Sequence, residues 1–313
     1  MTKDKILIFG NGQIGNFYNS YFAKQNIKSK ITRTNITDIN QVQKTIKKYN
    51  PTVVINTAAK TNLEWCGRNR LEAFNVNVLG ADNIARICDE EKIYFIHFSS
   101  GCIFESKDEN DKKSEDSIPS PAAFYSWTKV WAEQLIQSNK SKNFKSLILR
   151  PRQPVSSQAN HKNMLMKLLT FVNYVDTPNA GTVLEDLMDW TLEILKTKPT
   201  GILHMANQGW TTPYQIGLML KKYILPSLEI NKITKKELDK ITPNRRVDTI
   251  LNVDKLKSMG VIVKPYKERL EKIIKQLSEN IKKTEKKILK RELEKTAKFS
   301  KTRTKINNLW KNL

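Results

Sequence analysis

The chain has 313 residues, 39% hydrophobic and 27% charged, with a formal net charge of +23. That length and balance fit one large α/β domain, or a nucleotide-binding core with a smaller lobe, and exclude global disorder. No apolar run approaches the roughly 20 residues of a spanning helix, and residues 1–10 lack the apolar stretch and cleavage site of a secretion signal. Cys66, Cys88 and Cys102 are an odd count without metal-ligand spacing, so the expectation is a reducing cytoplasm, no disulfide framework and no metal. The positive balance points either to nucleic acid or an anionic membrane, or to an ordinary solvated lysine-rich surface. No nucleic-acid module stands out, so the solvated surface is preferred. A diphosphate-bearing substrate would also welcome such a field.

In chain order, 5–9, 29–32, 52–56, 94–99 and 146–150 are short β-rich runs, expected as buried parallel strands. Amphipathic helical segments lie between them, among them 39–49 and 71–91, and this βαβ rhythm predicts a doubly wound parallel sheet. Residues 108–121, charged and then rich in Pro and Ser, are expected as a loop over the site. A helix and an extended piece over 157–180 follow, then a helix over 185–196 and a late strand over 201–206. Thr211 or Thr212 is expected to cap the next helix. The organisation expected is a nucleotide-binding core over 1–156, to which 181–206 returns, and a smaller interleaved substrate lobe over 157–267. A basic helical tail over 268–313 completes it. In that tail Leu270, Ile274, Leu277, Ile281 and then Ile288 mark a narrow apolar stripe. Residues 281–313 carry twelve Lys and Arg against three acidic residues, a net +9. A helix that builds a homodimer, an RNA- or membrane-binding tail and a solvated helix stay open, the solvated helix being preferred.

The chemistry begins at Gly10-Asn11-Gly12-Gln13-Ile14-Gly15, which follows the first strand and opens a helix. Glycines there let the backbone turn tightly and approach a pyrophosphate, while the helix N-terminus offers N–H groups and a positive dipole. Where an acidic residue would hold the ribose 2′-OH of NAD, this chain has Thr32, Arg33 and Thr34. A guanidinium pairs with a 2′-phosphate in a fork, so Arg33 favours NADP(H) over NAD(H). The other reading is an ordinary surface arginine. Tyr125 and Lys129 stand four apart in a helical stretch and therefore share a face. The ammonium is expected to lower the phenol's pKa and suit it to proton transfer with a substrate oxygen. Ser99-Ser100 ends an earlier strand, where doubly wound folds place ligands.

In this order, the glycine motif, Asn56-Thr57-Ala58-Ala59, Asn77-Val78-Leu79-Gly80, Ser99-Ser100 and Tyr125-x-x-x-Lys129 resemble the extended short-chain dehydrogenases/reductases, which have a Rossmann fold. Within them the chain is similar to the dTDP-4-dehydrorhamnose reductases and the nucleotide-rhamnose 3,5-epimerase/4-reductases. The strings that carry this are Asn62-Leu63-Glu64-Trp65-Cys66, Gly101-Cys102-Ile103-Phe104-Glu105, Phe124-Tyr125-Ser126 and 149–157, over a span of residues 5–265. The resemblance implies NAD(P)H-dependent reduction of a nucleotide-linked 4-keto-6-deoxyhexose. It places the pyrophosphate on Gly10, Gly12 and Gly15, with Gln13 and Ile14 in the same loop, and the adenine near Asn35 and Ile36. Ala58, Ala59 and Lys60 line the nicotinamide side. Ser100 bonds the substrate carbonyl, Tyr125 gives the proton, and Lys129 binds the nicotinamide ribose and tunes Tyr125. Asn77 supports Lys129 through water, and Asn163 and Arg246 contact the nucleotide-sugar.

Cys102, two residues after Ser100, matches a cysteine of the epimerase/reductases, with Lys167 as its partner. Epimerisation at C3 and C5 needs such an acid/base pair, because both carbons are α to the C4 ketone. The alternatives are a small buried apolar residue for Cys102 and a surface helix lysine for Lys167. Dehydratases of this superfamily want an acidic pair where Gly101-Cys102 stands, which disfavours dehydration. A regulatory subunit of the same fold would lose the Tyr/Lys pair, which is present here. His97 and His204 lie in apolar strand runs and read as core groups, and His161 stands next to the substrate-side segment, with a surface role as the other reading. Trp65, Trp127, Trp131 and Trp190 read as packing residues, with Trp127 a candidate for the pocket mouth.

Overall fold

The computed structural model describes residues 4–138 and 140–297. Short apolar runs rich in Val, Ile, Leu and Phe give β1 (Ile6–Phe9), β2 (Ser29–Thr32), β3 (Val53–Asn56) and β4 (Tyr94–Phe98). The two-residue β5 (Lys112–Lys113) precedes β6 (Ser146–Pro151), β7 (Pro154–Val155), β8 (Asn173–Val175) and β9 (Thr182–Val183). Then come β10 (Gly201–Met205), β11 (Asn231–Ile233) and β12 (Ile250–Leu251). Six of these strands form one sheet, all parallel, in the order β10-β6-β4-β3-β1-β2. The chain runs outward from β1 to β2, then resumes on the other side with β3. That reversal opens a crevice at the C-terminal ends of β1 and β3, where such sheets bind ligands.

Alternation along the strands sorts two cores. Ile6, Ile8, Val53, Ile55 and Ile96 face one layer, built from α1 (Gln13–Lys24) and, later in the chain, the helix over Leu184–Thr197. Leu7, Phe9, Val54 and Phe95 face the opposite layer, which begins with α2 (Ile39–Tyr49). Helices on both faces explain why these strands are apolar throughout. Strand β2 is the exception to the buried strands expected, because it sits at the sheet edge and its Lys30 is exposed.

Helices α3 (Leu63–Arg68) and α4 (Arg70–Phe74) lead to a π-helical turn, Asn75–Leu79, and then α5 (Gly80–Glu90). The single helix expected over 71–91 is therefore interrupted around Asn77, as often happens near functional groups. Helix α6 (Phe124–Gln137) follows the 108–121 segment. That segment is no free loop. β5 pairs with β12, and buried Glu115 accepts from the His204 N–H at 2.9 Å.

The helix over Leu184–Thr197, α8, packs with the sheet core, while the lobe is built from α7 (Met164–Leu168) and α9 (Pro213–Tyr223), which Thr212 caps by accepting from the Gln215 N–H. Helices α10 (Lys235–Ile241) and α11 (Asp254–Ser258) precede α12 (Tyr266–Lys283) and α13 (Lys286–Ala297). The solvated tail gives way to a packed element: Tyr266, Leu270, Ile273, Ile274, Leu277 and Ile281 share one core with Leu165, Tyr174 and Ile216. On α13 the packed residues are Leu289 and Leu293, while Ile288 is exposed. His161 is likewise no free surface residue, since its Nδ1 pairs with Glu292 of α13 at 2.6 Å. Residues 298–313 of the expected tail lie outside the described residues.

Candidate active site

The glycine loop is shaped by what surrounds it. Gly10 has φ of +96°, and a Cβ there would stand 2.6 Å from the Ala58 backbone nitrogen. A Cβ on Gly15 would stand 2.0 Å from the Gly10 carbonyl oxygen, so neither residue has room for a side chain. Gly12, by contrast, faces open space and begins α1 with no side-chain cap. The first N–H groups of α1 are thus left for an anion. The amide Nε2 of Gln13 is buried without a partner, and Ile14 packs against the sheet core. A cradle open only at Gly12, with an unspent donor beside it, fits a dinucleotide pyrophosphate.

At the end of β2 the Thr32 and Thr34 hydroxyls bond each other at 2.7 Å and Arg33 is exposed. Asn35 accepts from the N–H and hydroxyl of Thr37, so its side chain serves the local turn, and Ile36 is buried in the core. Across the crevice Ala58, Ala59 and Lys60 leave β3 half-buried. Lys60 turns its ammonium to Glu72 at 2.8 Å, over the Trp65 ring. Asn77 accepts from the Lys60 N–H at 2.7 Å and donates to the Lys60 carbonyl and the Thr128 hydroxyl. Asn77 thus clamps the loop after β3 directly to α6.

Ser100, at the end of β4, starts a single turn of 3₁₀ helix and its hydroxyl accepts from the Cys102 N–H at 3.2 Å. Tyr125 and Lys129 lie one turn apart on α6, both buried. Lys129 donates to the Phe98 carbonyl at 2.8 Å, its nitrogen 6.0 Å from the centre of the Tyr125 ring. Burial lowers the Lys129 ammonium to about 8, against opposing influence from Cys102, Glu133 and Cys66. The Tyr125 phenol goes the other way from the expectation. Burial raises it, Cys102 adds to the rise, and the hydrogen bond with Ser100 and the charge of Arg152 only offset this in part. The dry pocket outweighs the nearby cations.

Cys102, 7% exposed, accepts from the Ser126 hydroxyl at 3.3 Å and shares an apolar cluster with Cys66, Tyr125 and Val247. Lys167 lies on α7, where burial and then the charge of Lys162 lower its pKa. No hydrogen bond or ion pair joins Cys102 and Lys167 among the described residues. Asn163, expected at the nucleotide-sugar, is 0% exposed, caps α7 through the Leu165 N–H and donates to the Ser156 and Gln158 carbonyls. Its side chain bonds the backbone and shapes the segment before α7. Arg246 is tied to Glu64, which also takes the Asn244 amide. These pairs brace one rim of a cavity of about 350 Å³ that reaches Arg68, Arg70 and Phe124.

Beneath the site lies a network that sequence reading missed. Ser99 donates to Glu133, which holds Arg150 through both carboxylate oxygens, at 3.0 and 2.6 Å. Glu133 stands one helical turn beyond Lys129, so an acid on the buried face of α6 was the available signal. His97 is a core group bonded to Asn56, and Trp127, 43% exposed, stacks on Trp131. No described helix is long and apolar enough to cross a membrane.

The model of the RmlD substrate binding domain family matches residues 4–279. The chain is 31% identical over 280 residues to a bifunctional dTDP-4-dehydrorhamnose 3,5-epimerase/dTDP-4-dehydrorhamnose reductase of Arabidopsis thaliana, covering 86% of this chain and 91% of that one. It is 30% identical over 279 residues to a trifunctional UDP-glucose 4,6-dehydratase/UDP-4-keto-6-deoxy-D-glucose 3,5-epimerase/UDP-4-keto-L-rhamnose-reductase of the same plant. That match covers 86% of this chain but only 41% of the trifunctional protein. The fold is similar to the crystal structure of a UDP-rhamnose synthase from Acanthamoeba polyphaga mimivirus, with TM-score 0.81 and 22% identity over 88% of this chain and 100% of that one.

Proposed function

The chain belongs to the RmlD substrate binding domain family, and we propose that it reduces a nucleotide-linked 4-keto-6-deoxyhexose at C4 after 3,5-epimerisation, giving a nucleotide-linked rhamnose or a related deoxysugar. The observation that carries this reading is the meeting of Ser100, Tyr125, Lys129 and Cys102 at the C-terminal end of β4. The two plant relatives are named for both activities. The proposed cofactor is NADP(H) rather than NAD(H), because Arg33 stands exposed where an acidic residue would serve the 2′-OH. When bound, that cofactor supplies the hydride to C4.

The chain's own residues divide the remaining work. Gly12 and the first N–H groups of α1 receive the pyrophosphate, with Gln13 Nε2 as a further donor. Ser100 and Tyr125 hold the C4 oxygen. A phenol kept protonated by burial suits Tyr125 to give its proton to that oxygen. Lys129, fixed on Phe98, steadies the phenolate left behind. Before reduction the C3 and C5 hydrogens are acidic, because each is α to the ketone. Cys102 takes the proton on one face and the Lys167 ammonium gives one on the other. Residues 157–267 with α12 would then enclose the nucleotide-sugar, and the proposed location is the cytoplasm.

The test is NADPH consumption with UDP- and dTDP-4-keto-6-deoxyglucose, without added epimerase and in deuterated water. Cofactor oxidation with a rhamnosyl product deuterated at C3 and C5 is expected. A Tyr125→Phe variant that reduces at the full rate would overturn the reading.

A further inference from the structure

Two arginines stand two residues apart at the end of β6, and only one is neutralised. Arg150, 3% exposed, is paired with Glu133. Arg152, 6% exposed, has no ion-paired carboxylate among the described residues. Its Nη2 donates to Asn179 Oδ1 at 2.7 Å and to the Val247 carbonyl at 2.5 Å, both neutral acceptors. Its Nε is buried without a partner, and so is the hydroxyl of Tyr266. A buried charge left partly unsatisfied is costly, and such groups persist where function needs them.

The surroundings say what this cation faces. The charges that bear on Arg152 are those of Cys102, Asp248, Tyr125 and Tyr266. Asp248 is already committed to Lys235 at 2.8 Å and to the Asn179 amide at 2.7 Å. That leaves the thiol and the phenols. The backbone agrees: a Cβ on Gly101, the neighbour of Cys102, would stand 3.4 Å from the Arg152 Cβ. Val247, whose carbonyl orients the guanidinium, packs in one cluster with Cys102 and Tyr125.

Resting on the epimerase reading above, we propose that Arg152 is a positioning residue for epimerisation, supplying the positive potential that holds charge on the Cys102 sulfur. In the step it serves, the S–H bond forms as the C–H bond next to the ketone breaks. The electron pair passes into the enolate, whose oxygen Ser100 and Tyr125 hold. The proton added on the opposite face comes from the Lys167 ammonium, and Arg152 neither gives nor takes one. Lys129 is less suited to this role, because its ammonium is turned to Phe98 and serves Tyr125 in the reduction.

The potential at the sulfur is read by alkylating Cys102 with iodoacetate and with iodoacetamide, using Cys102→Ala to subtract the other thiols. The two reagents differ in charge, so the ratio of their rates is insensitive to access. The ratio in the unmutated protein is expected to exceed that of a small free thiol, and to fall about tenfold in Arg152→Gln while Arg152→Lys retains it. Deuterium exchange at C3 and C5 is expected to fall about 100-fold in Arg152→Gln, while reduction of an already epimerised 4-keto sugar falls by no more than about tenfold, the share that follows from the lesser influence of Arg152 on Tyr125. A ratio equal to that of the free thiol, or unchanged in Arg152→Gln, overturns the proposal, as does equal loss of exchange and reduction. The ratio in the unmutated chain decides even if Arg152→Gln does not fold. Absence of exchange in the unmutated chain would sink the epimerase reading and this proposal together, a result distinct from exchange that is indifferent to Arg152.

Discussion

Lys129 donates from Nζ to the carbonyl of Phe98 at 2.8 Å, tying the middle of α6 to the last residue of β4. The bond places an ammonium in a site dry enough to lower it to about 8 from 10.5. The charged form is thus disfavoured in the fold. The penalty is full at neutral pH and fades as pH rises from about 8 toward 10.5, where the unfolded chain still holds the proton. Lys129→Met is therefore expected to abolish reduction yet raise stability by about 1–3 kcal/mol near neutral pH. Thermal unfolding and NADPH oxidation, measured on the same samples, check both halves.

The glycine loop separates folding from binding. Gly15→Ala puts a methyl group 2.0 Å from the Gly10 carbonyl oxygen and is expected to destabilise the chain by about 2 kcal/mol or more. Gly12→Ala meets nothing and should leave the unfolding temperature unchanged. It places its methyl group where the pyrophosphate is proposed to lie, so cofactor affinity should drop about tenfold or more. Calorimetric titration with NADPH, beside thermal unfolding, distinguishes the two variants.

Removing the thiol should divide the two reactions. In Cys102→Ala, deuterium incorporation at C3 and C5 is expected to fall by about 10²–10⁴-fold, the usual worth of a positioned acid or base. Reduction of a substrate that is already epimerised should persist, since Ser100, Tyr125 and Lys129 are untouched. Mass spectrometry of the sugar product reads the first quantity and NADPH absorbance the second.

One carboxylate, Glu292, supplies the polar contact between α13 and His161 in the segment before α7. Burial alone would raise Glu292, but hydrogen bonds from Lys295 and from His161 lower it to about 2. A folded pKa below the unfolded one means the contribution is complete above about 4.5 and lost as pH falls toward about 2. Because the group is partly solvated, Glu292→Gln is expected to cost only about 0.5–1 kcal/mol. The loss should appear first as faster amide exchange over residues 286–297.

The sheet was legible because its strands are short, apolar and buried on both faces, so β1, β3, β4 and β6 stand out by composition alone. The glycine loop was legible because only glycine fits positions 10 and 15. What escaped was set by tertiary placement. Whether Lys129 lowers or Burial raises the Tyr125 phenol depends on how dry the pocket is, which spacing does not encode. The sequence around Asn163 does not encode that its side-chain oxygen caps α7. The tail misled because lysines on the exposed side of α12 dominate its composition, while Leu270, Ile273, Ile274 and Leu277 on the other side decide where it packs. Arg152 lies within the 149–157 string but carries no role there, Glu133 lies in none, and only the fold brings them to the site.

The π-helical turn at Asn75–Leu79 constrains insertions and deletions in a way that its surface residues do not reveal. Each residue of a regular helix turns the next side chain by about 100°. Deleting one residue there would close the wide turn into an ordinary helix and displace the residues of the turn itself. The Asn77 amide would swing away from Thr128 and the Lys60 backbone, and the loop carrying Ala58 and Ala59 would lose its tie to α6. Leu79, 42% exposed, can change identity at little cost, but the number of residues between Phe74 and Gly80 sets where Asn77 meets Lys60 and Thr128.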